Sequence, residues 1–485
     1  MKITDLKPAG VWRFFDEITK VPRPSKKEEK IRAYLRKFAQ ERNLEFDEDH
    51  VGNIVIRKAA TKGYEDRKTV VLQSHVDMVC EKNSDVNHDF EKDPIRTIIE
   101  DGWVKATGTT LGADDGIGVA SALAVLDDDT VEHGPIECLF TVDEETGMTG
   151  AFGIQPGFIK GSILLNLDSE DEGQMFIGCA GGMGTTGIIS YDTKKADSNS
   201  FFAKITVNGL KGGHSGGEIH IGLGNANKLL TRVLYRAMSE MPLNLIAIDG
   251  GNLHNAIPRE AHAVVAVPAN KKEALTAIVN QMQGDMQHEL RKVDPDVKVT
   301  IESAEKADKV ITDECTERIV RMLYAMPHGV LGMSHDMEDL VETSTNLASI
   351  KMKKAGEIEV ETSQRSSSES LKEDVGNLVK SVFELAGAKV EVRDGYPGWE
   401  PNPDSEILQV VNDAYKRLFN KEPQVLAIHA GLECGLFLTK YPNLDMVSFG
   451  PTLRYVHSPR ECCEIETVDL FWRHLVEILK SIPKR

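Results

Sequence analysis

No stretch of this sequence approaches the roughly 18 uninterrupted apolar residues that a membrane-crossing helix requires. The opening residues, MKITDLKPAGVWRFFDEITK, also lack the apolar centre of a secretory signal. These absences argue against a membrane partner and predict a cytoplasmic protein. Cysteine is sparse: Cys80, Cys138, Cys179, Cys315, Cys434, Cys462 and Cys463 are 7 in number, with no regular spacing. An odd, irregular set excludes a disulfide framework and suits reduced thiols. The neighbours Cys462 and Cys463 lack the second pair that a cysteine-based zinc site would need. Positive charge is also short, with 57 Lys and Arg against 76 Asp and Glu, a net charge of −19. That balance repels phosphate backbones and excludes nucleic acid as a partner. Acidity of this kind also keeps proteins in solution without any bound cation, so it is not by itself a metal signal.

What is present is material for a folded enzyme: 485 residues, 41% hydrophobic and 27% charged, beyond the size at which one core keeps growing. Helical and strand patterns alternate in the first part. An amphipathic stretch runs from Lys26 to Glu41, a buried-strand pattern covers Thr69 to Leu72, and a helix is predicted from Ile117 to Leu126. Strands are predicted at Ile136 to Val142 and Ser162 to Leu167. After residue 186 the order becomes strand, helix, strand, helix, twice over, which predicts an inserted α+β domain with an internal duplication. The Pro- and Gly-rich segment Arg393 to Asp404 reads as a crossing linker, after which the first pattern resumes. The expected architecture is α/β. A catalytic domain split between residues 1–186 and 393–485 carries a mixed sheet flanked by helices, and residues 187–392 form an inserted lid. The run Gly178 to Gly184, GCAGGMG, has the wrong spacing for a nucleotide-binding loop and reads as a tight connection.

Acids gather at the ends of the predicted strands. The first strand runs into His75 and Asp77, which alternation places on one side, so that the carboxylate can support the imidazole. Asp114 and Asp115 stand in LGADDG at the start of a helix. One aspartate there would be an ordinary cap, but two exceed what capping needs. The strand from Ile136 ends in Asp143, Glu144 and Glu145, and the strand from Ser162 ends in Asp168. Open α/β sheets bind ligands at this edge, and like charges collected there call for cations. A nitrogen ligand is still wanted, and His457 and His429 both stand in suitable loops; spacing does not decide between them.

Taken in order, HVD, GADDG, DEETG, NLDSE, GGHSGG and the late HSP resemble the aminoacylase and carboxypeptidase-like family of dizinc metallopeptidases over essentially the whole chain. The resemblance implies that two Zn²⁺ ions, with cobalt or manganese as substitutes, are held by His75, Asp114 and Asp168 and by Asp114, Glu145 and His457. Asp114 would be the bridge. It also implies Glu144 as general base toward a water between the ions, Asp77 as the support of His75, and hydrolysis of dipeptides, including those ending in histidine. His214 in GGHSGG would reach the substrate carbonyl from the inserted domain, and lid closure would then be part of catalysis. Arg365, at the end of the strand from Glu357 to Thr362, would bind the substrate carboxylate, and Asn255 would add a polar contact. Asp115 departs from the asparagine frequent at this place in the family, where the peptide bond after the bridging aspartate is often cis. Aminoacylase or carboxypeptidase action shares this chemistry, and a metal-free peptide-binding protein would share the fold. The expected partner is a small peptide. A homodimer is compatible, although the duplicated insert would alternatively take the place of a second subunit.

Overall fold

The computed structural model describes residues 2–485. The chain divides into two compact units. The first takes the chain up to Cys179 together with Trp399–Ala427 and Leu432–Arg485; the second comprises Ala180–Gly398 and Ile428–Gly431. The second unit thus begins before residue 187 and runs beyond residue 392. In the glycine-rich run read as a tight connection, Gly178 and Cys179 end strand Gln174–Cys179, Ala180 alone connects, and Gly181 to Gly184 already belong to strand Gly181–Ser190, paired on both sides, with Glu357–Ser366 and with Lys389–Tyr396. Glycine is uncommon in strands, which is why the segment reads as a turn. Here it permits close packing: a Cβ at Gly187 would lie 2.2 Å from the Phe383 ring. The supposed linker from Arg393 likewise opens inside a strand, Lys389–Tyr396.

The first unit is built on an eight-stranded sheet in the order Glu45–Glu48, Ile54–Lys58, Ile136–Thr141, Val70–His75, Ile163–Asn166, Asp445–Ser448, Gln174–Cys179, Gln424–Ile428. The four strands Ile136–Thr141, Val70–His75, Ile163–Asn166 and Asp445–Ser448 are neighbours and mutually parallel, whereas Ile54–Lys58 runs antiparallel to Ile136–Thr141 at one side and Glu45–Glu48 antiparallel to Ile54–Lys58. The sheet is therefore mixed, as expected. Every residue of Val70–His75, Ile136–Thr141 and Ile163–Asn166 is buried, the condition of parallel strands covered on both faces. Helices Ala9–Ile18 and Ala113–Asp127 pack on one another, and Ala113–Asp127 lies against Val70–His75; Glu406–Phe419 and Ile465–Ser481 form a second pair. Parallel strands all end at one edge, so the segments that follow His75, Thr141, Asn166 and Ser448 emerge together.

The second unit has a nine-stranded sheet. Its path is Lys298–Ser303, Ser200–Asn208, Ala261–Pro268, Asn244–Gly250, Val341–Lys354, Glu357–Ser366, Gly181–Ser190, Lys389–Tyr396, with Gly329–Met333 added beside Val341–Lys354. Numbered within each half, the order is 4-1-3-2 and then 2-3-1-4, so the halves mirror one another about the contact of Gly250 with Ile350. The duplication does not run as two successive blocks. The second half takes its first strand, Gly181–Ser190, from the chain before the first half begins. The helices Ala226–Glu240, Lys272–Leu290, Asp313–Ala325 and Glu369–Leu385 contribute to a single core, centred on residues such as Leu230, Val279, Ile319 and Phe383. Among the described residues no helix is long and apolar enough to cross a membrane.

Candidate metal centre

The parallel edge of the first unit delivers the acids and imidazoles. His75 is the last residue of Val70–His75, so the strand continues through the histidine rather than stopping at Leu72. Asp143 follows Ile136–Thr141 with a left-handed φ of 53° and starts the short helix Glu144–Gly147; Asp168 follows Ile163–Asn166. Asp114 and Asp115 lie at the start of Ala113–Asp127 with non-helical backbone angles, so the helix proper begins after them. The Asp114–Asp115 peptide bond is cis. Tyr455 and His457, in the loop after Leu453–Arg454, both have positive φ.

Five side chains converge here. The two oxygens of Asp114 face opposite imidazoles: Oδ1 lies 3.1 Å from His75 Nε2 and Oδ2 lies 3.1 Å from His457 Nε2. Asp168 Oδ1 approaches His75 Nε2 at 3.4 Å, and Glu145 Oε2 approaches His457 Nε2 at 3.0 Å. The donors thus fall into two groups, His75, Asp114 and Asp168 on one side and Asp114, Glu145 and His457 on the other, sharing one carboxylate. Asp77 stands behind His75 with Oδ1 3.4 Å from Nδ1. It is itself fixed by the Ser25 hydroxyl at 2.7 Å and by the backbone N–H groups of Glu144 and Glu145 at 3.0 and 3.2 Å. Asp77 therefore orients the imidazole and also positions the segment that carries Glu144.

The electrostatics follow from burying like charges. Burial would lower the His75 pKa, but Asp168, Asp114 and Asp77 outweigh it and hold the imidazole well above its usual value. Bonding to Asp114 and then Glu145 pushes His457 up to about 11. Burial, with Asp114 and Glu144 nearby, drives the Asp168 carboxyl upward against the pull of His75. Burial also raises Glu144 to about 8, opposed by His75 and assisted by Glu433, Glu145 and Asp114. Asp77 moves the other way, to about 2, because the His75 and Ser25 bonds outweigh its burial. A cluster of this kind draws positive charge to itself. Glu145 Oε1 is buried with no hydrogen-bond partner, and donor atoms of His75, Asp114 and Glu145 all lie within 4.8 Å of one another. Mixed imidazole and carboxylate donors, an orphaned oxygen and one shared carboxylate fit a pair of divalent cations. A second buried trio, Glu28, Asp77 and Asp143, also converges. Its carboxylates are satisfied locally, Glu28 by the Lys26 N–H at 2.8 Å and Asp143 by the hydroxyls of Thr146 and Thr149.

Several supporting residues carry no signal in the sequence. Glu461 is buried and accepts four backbone N–H bonds, from Leu111 at 2.7 Å, Gly112 at 3.0 Å, Ala113 at 2.7 Å and Asp114 at 3.3 Å. Burial raises its pKa, and the amides pull it back. On the same loop the buried Arg23 guanidinium donates to the Gly112 carbonyl, and to those of Val76 and Asp77 at 2.9 Å. Inside the sheet, Glu433 accepts from Gln73 Nε2 at 2.7 Å and Thr141 Oγ1 at 3.0 Å; Asn166 donates to Gln73 at 2.5 Å and Ser448 to Asn166 at 2.5 Å. This chain crosses the parallel strands just below the residues that bear the donors. Alternation brings Gln73 to the same face as His75, and that is the one element of the chain legible in advance.

The second unit holds the remaining candidates. His214 Nδ1 accepts the N–H groups of Gly216 at 3.3 Å and Gly217 at 3.0 Å, which puts the ring proton on Nε2. Burial, and then Arg365, lower its pKa, so the ring is a neutral donor at physiological pH. Arg365 lies within strand Glu357–Ser366, which runs past the expected end at Thr362, and Nη1 donates to the Tyr396 hydroxyl at 2.7 Å. A Cβ on Gly216 would lie 2.2 Å from the His429 carbonyl oxygen, so glycine is what allows the His214 loop to pack against that backbone, with the His214 ring and Arg365 Nε at 3.0 and 3.2 Å from the same point. Asn255 is exposed; its carbonyl accepts the Ser215 N–H at 2.9 Å and braces the His214 loop through the backbone. His429, the alternative nitrogen ligand, is in this unit, bonded through Nε2 to Ser344 Oγ at 2.7 Å, and burial lowers its pKa to about 3.

This edge, with paired imidazoles and clustered carboxylates on a mixed α/β sheet, defines a metal-dependent hydrolase. Residues 71–481 match the model of peptidase family M20/M25/M40, a family of metal-dependent peptidases, and the chain belongs to that family. It is 46% identical over 484 residues to the cytosol non-specific dipeptidase of Escherichia coli strain K12, covering 100% of both chains. The crystal structure of aminoacylhistidine dipeptidase from Vibrio alginolyticus superposes with a TM-score of 0.95 at 45% identity, over 100% of this chain and 99% of that one. An aminopeptidase from Bacillus cereus shares the fold at 17% identity, with a TM-score of 0.57 over 98% of this chain and 99% of its own. The family resemblance read from HVD, GADDG, DEETG and GGHSGG is borne out.

Proposed function

We propose that this chain is a cytoplasmic dipeptidase that acts with two Zn²⁺ ions, held by His75, Asp114 and Asp168 and by Asp114, Glu145 and His457. The observation that supports this most is the division of the donors about the two oxygens of Asp114. When bound, the two cations polarise the scissile carbonyl and lower the pKa of the attacking water. Glu144 is the residue that moves the proton. It belongs to neither donor group, its backbone is held by Asp77, and its raised pKa suits a carboxylate that takes a proton and returns it. It accepts the proton as water oxygen bonds to the carbonyl carbon, then passes it to the amine nitrogen as the C–N bond breaks. Asp77 keeps the His75 ring oriented throughout.

His214, neutral with its proton on Nε2, serves as a donor to the carbonyl oxygen as negative charge develops there. Arg365 offers its guanidinium to the terminal carboxylate of the substrate, held in place by Tyr396. Asn255 contributes as a brace of the His214 loop. His214→Ala is expected to keep its fold and cation content while kcat falls by about 10²–10³-fold, the range for loss of one oxyanion donor; steady-state kinetics at the wild-type rate would make the residue a bystander.

The reading is tested with a panel of dipeptides, including Xaa-His and β-alanyl substrates, run beside tripeptides and N-acetyl amino acids on zinc-loaded protein. Dipeptides are expected to be cleaved fastest, with activity lost on chelation and restored by zinc. Preference for N-acetyl amino acids would make the chain an aminoacylase, and inertness of the loaded protein toward every amide would make it a binding protein.

A further inference from the structure

Glu461 joins two loops that lie more than three hundred residues apart in the chain. Its carboxylate collects the N–H groups of Leu111, Gly112, Ala113 and Asp114, while its own N–H donates to Ser458 O at 3.0 Å, inside the turn that carries His457. On its other side the Asp114 loop is gripped by Arg23, which takes the Gly112 carbonyl. A small cap does not need this. A single aspartate side chain ordinarily satisfies one or two amides at a helix start, whereas here a distant, buried glutamate satisfies four consecutive ones, at the place where the loop presents Asp114. One residue therefore ties the two loops together, its carboxylate fixing the Asp114 loop and its backbone N–H closing the turn that carries His457.

We infer that Glu461 is a positioning residue for the cation held by Asp114, Glu145 and His457, acting through both loops at once. The inference rests on the proposed ligand assignment. The other cation shares only Asp114 with this brace; His75 and Asp168 are fixed by Asp77 and by the parallel strands. Disturbing Glu461 thus loosens one cation much more than the other. Glutamine at this position turns a donor toward amides that are themselves donors, and aspartate keeps the charge but falls one methylene short of the four amides.

The test is a zinc titration of cation-free protein by calorimetry, with elemental analysis after gel filtration, on wild type, Glu461→Gln, Glu461→Asp and the core control Leu475→Ala. Leu475 is fully buried in Ile465–Ser481, away from both loops in sequence. Wild type is expected to hold two ions. In both Glu461 variants one dissociation constant should rise by about 10–100-fold, the cost typical of losing an outer support of a ligand, with the other within about threefold, so that near one ion per chain survives filtration. Leu475→Ala should lower Tm and leave the ratio of the two constants unchanged. Two wild-type affinities in the Glu461 variants, or equal weakening of both sites, would overturn the inference. A wild type that binds fewer than two ions would instead overturn the ligand assignment beneath it.

Discussion

Glu144→Gln is expected to retain both cations and to lose a factor of about 10²–10⁴ in kcat, the usual contribution of a positioned general base. At 1.36 kcal/mol per tenfold, that is roughly 3–5 kcal/mol of transition-state stabilisation. Glutamine has nearly the same shape, and the backbone N–H of residue 144 still donates to Asp77, so the short helix should keep its place. What is lost is a carboxylate able to take the proton. Because Glu144 belongs to neither donor group, cation content should not change. Elemental analysis beside steady-state kinetics separates the two effects. Activity within tenfold of wild type would remove Glu144 as the base, and loss of a cation would make it a ligand.

Asp114→Ala is the more destructive change. It deletes the carboxylate placed 3.1 Å from both imidazoles, leaving Asp115, Glu144, Glu145 and Asp168 without the group that links them. Both cations should be lost on gel filtration, and turnover should fall to that of chelated protein. An Asp114→Ala protein that still carries two ions would show that the bridge lies elsewhere.

How much of this was legible beforehand depends on what each residue's role requires. Strand ends rich in acids can be read from a single chain, because a buried parallel strand is a continuous apolar run and the first charged residues after it mark its edge. His75, the run Asp143 to Glu145 and Asp168 are legible in that way, whereas Asp114 stands out as one of two adjacent acids at a helix start, and the choice of Glu145 as a ligand rests on the resemblance. His457 is not legible, since a loop histidine carries no periodicity; only the resemblance favoured it over His429, and the geometry sets the two in different units. The boundary at residue 187 failed because glycine in Gly181–Ser190 serves close packing against Phe383 and Tyr396, an interaction with distant segments that local propensity cannot register. The interleaved halves of the second unit were misread for the same reason, since strand order is set by pairing and not by succession. Glu461 and Arg23 work through hydrogen bonds to backbone far away in sequence, and nothing adjacent to them announces it.

The central claim, that five side chains from separate segments hold a pair of cations about Asp114, is tested most directly by anomalous diffraction from crystals grown with zinc. Two peaks are predicted, one among His75, Asp114 and Asp168 and one among Asp114, Glu145 and His457. Zinc bound only at the Glu28, Asp77 and Asp143 trio, or no ordered zinc between the two imidazoles, would contradict it.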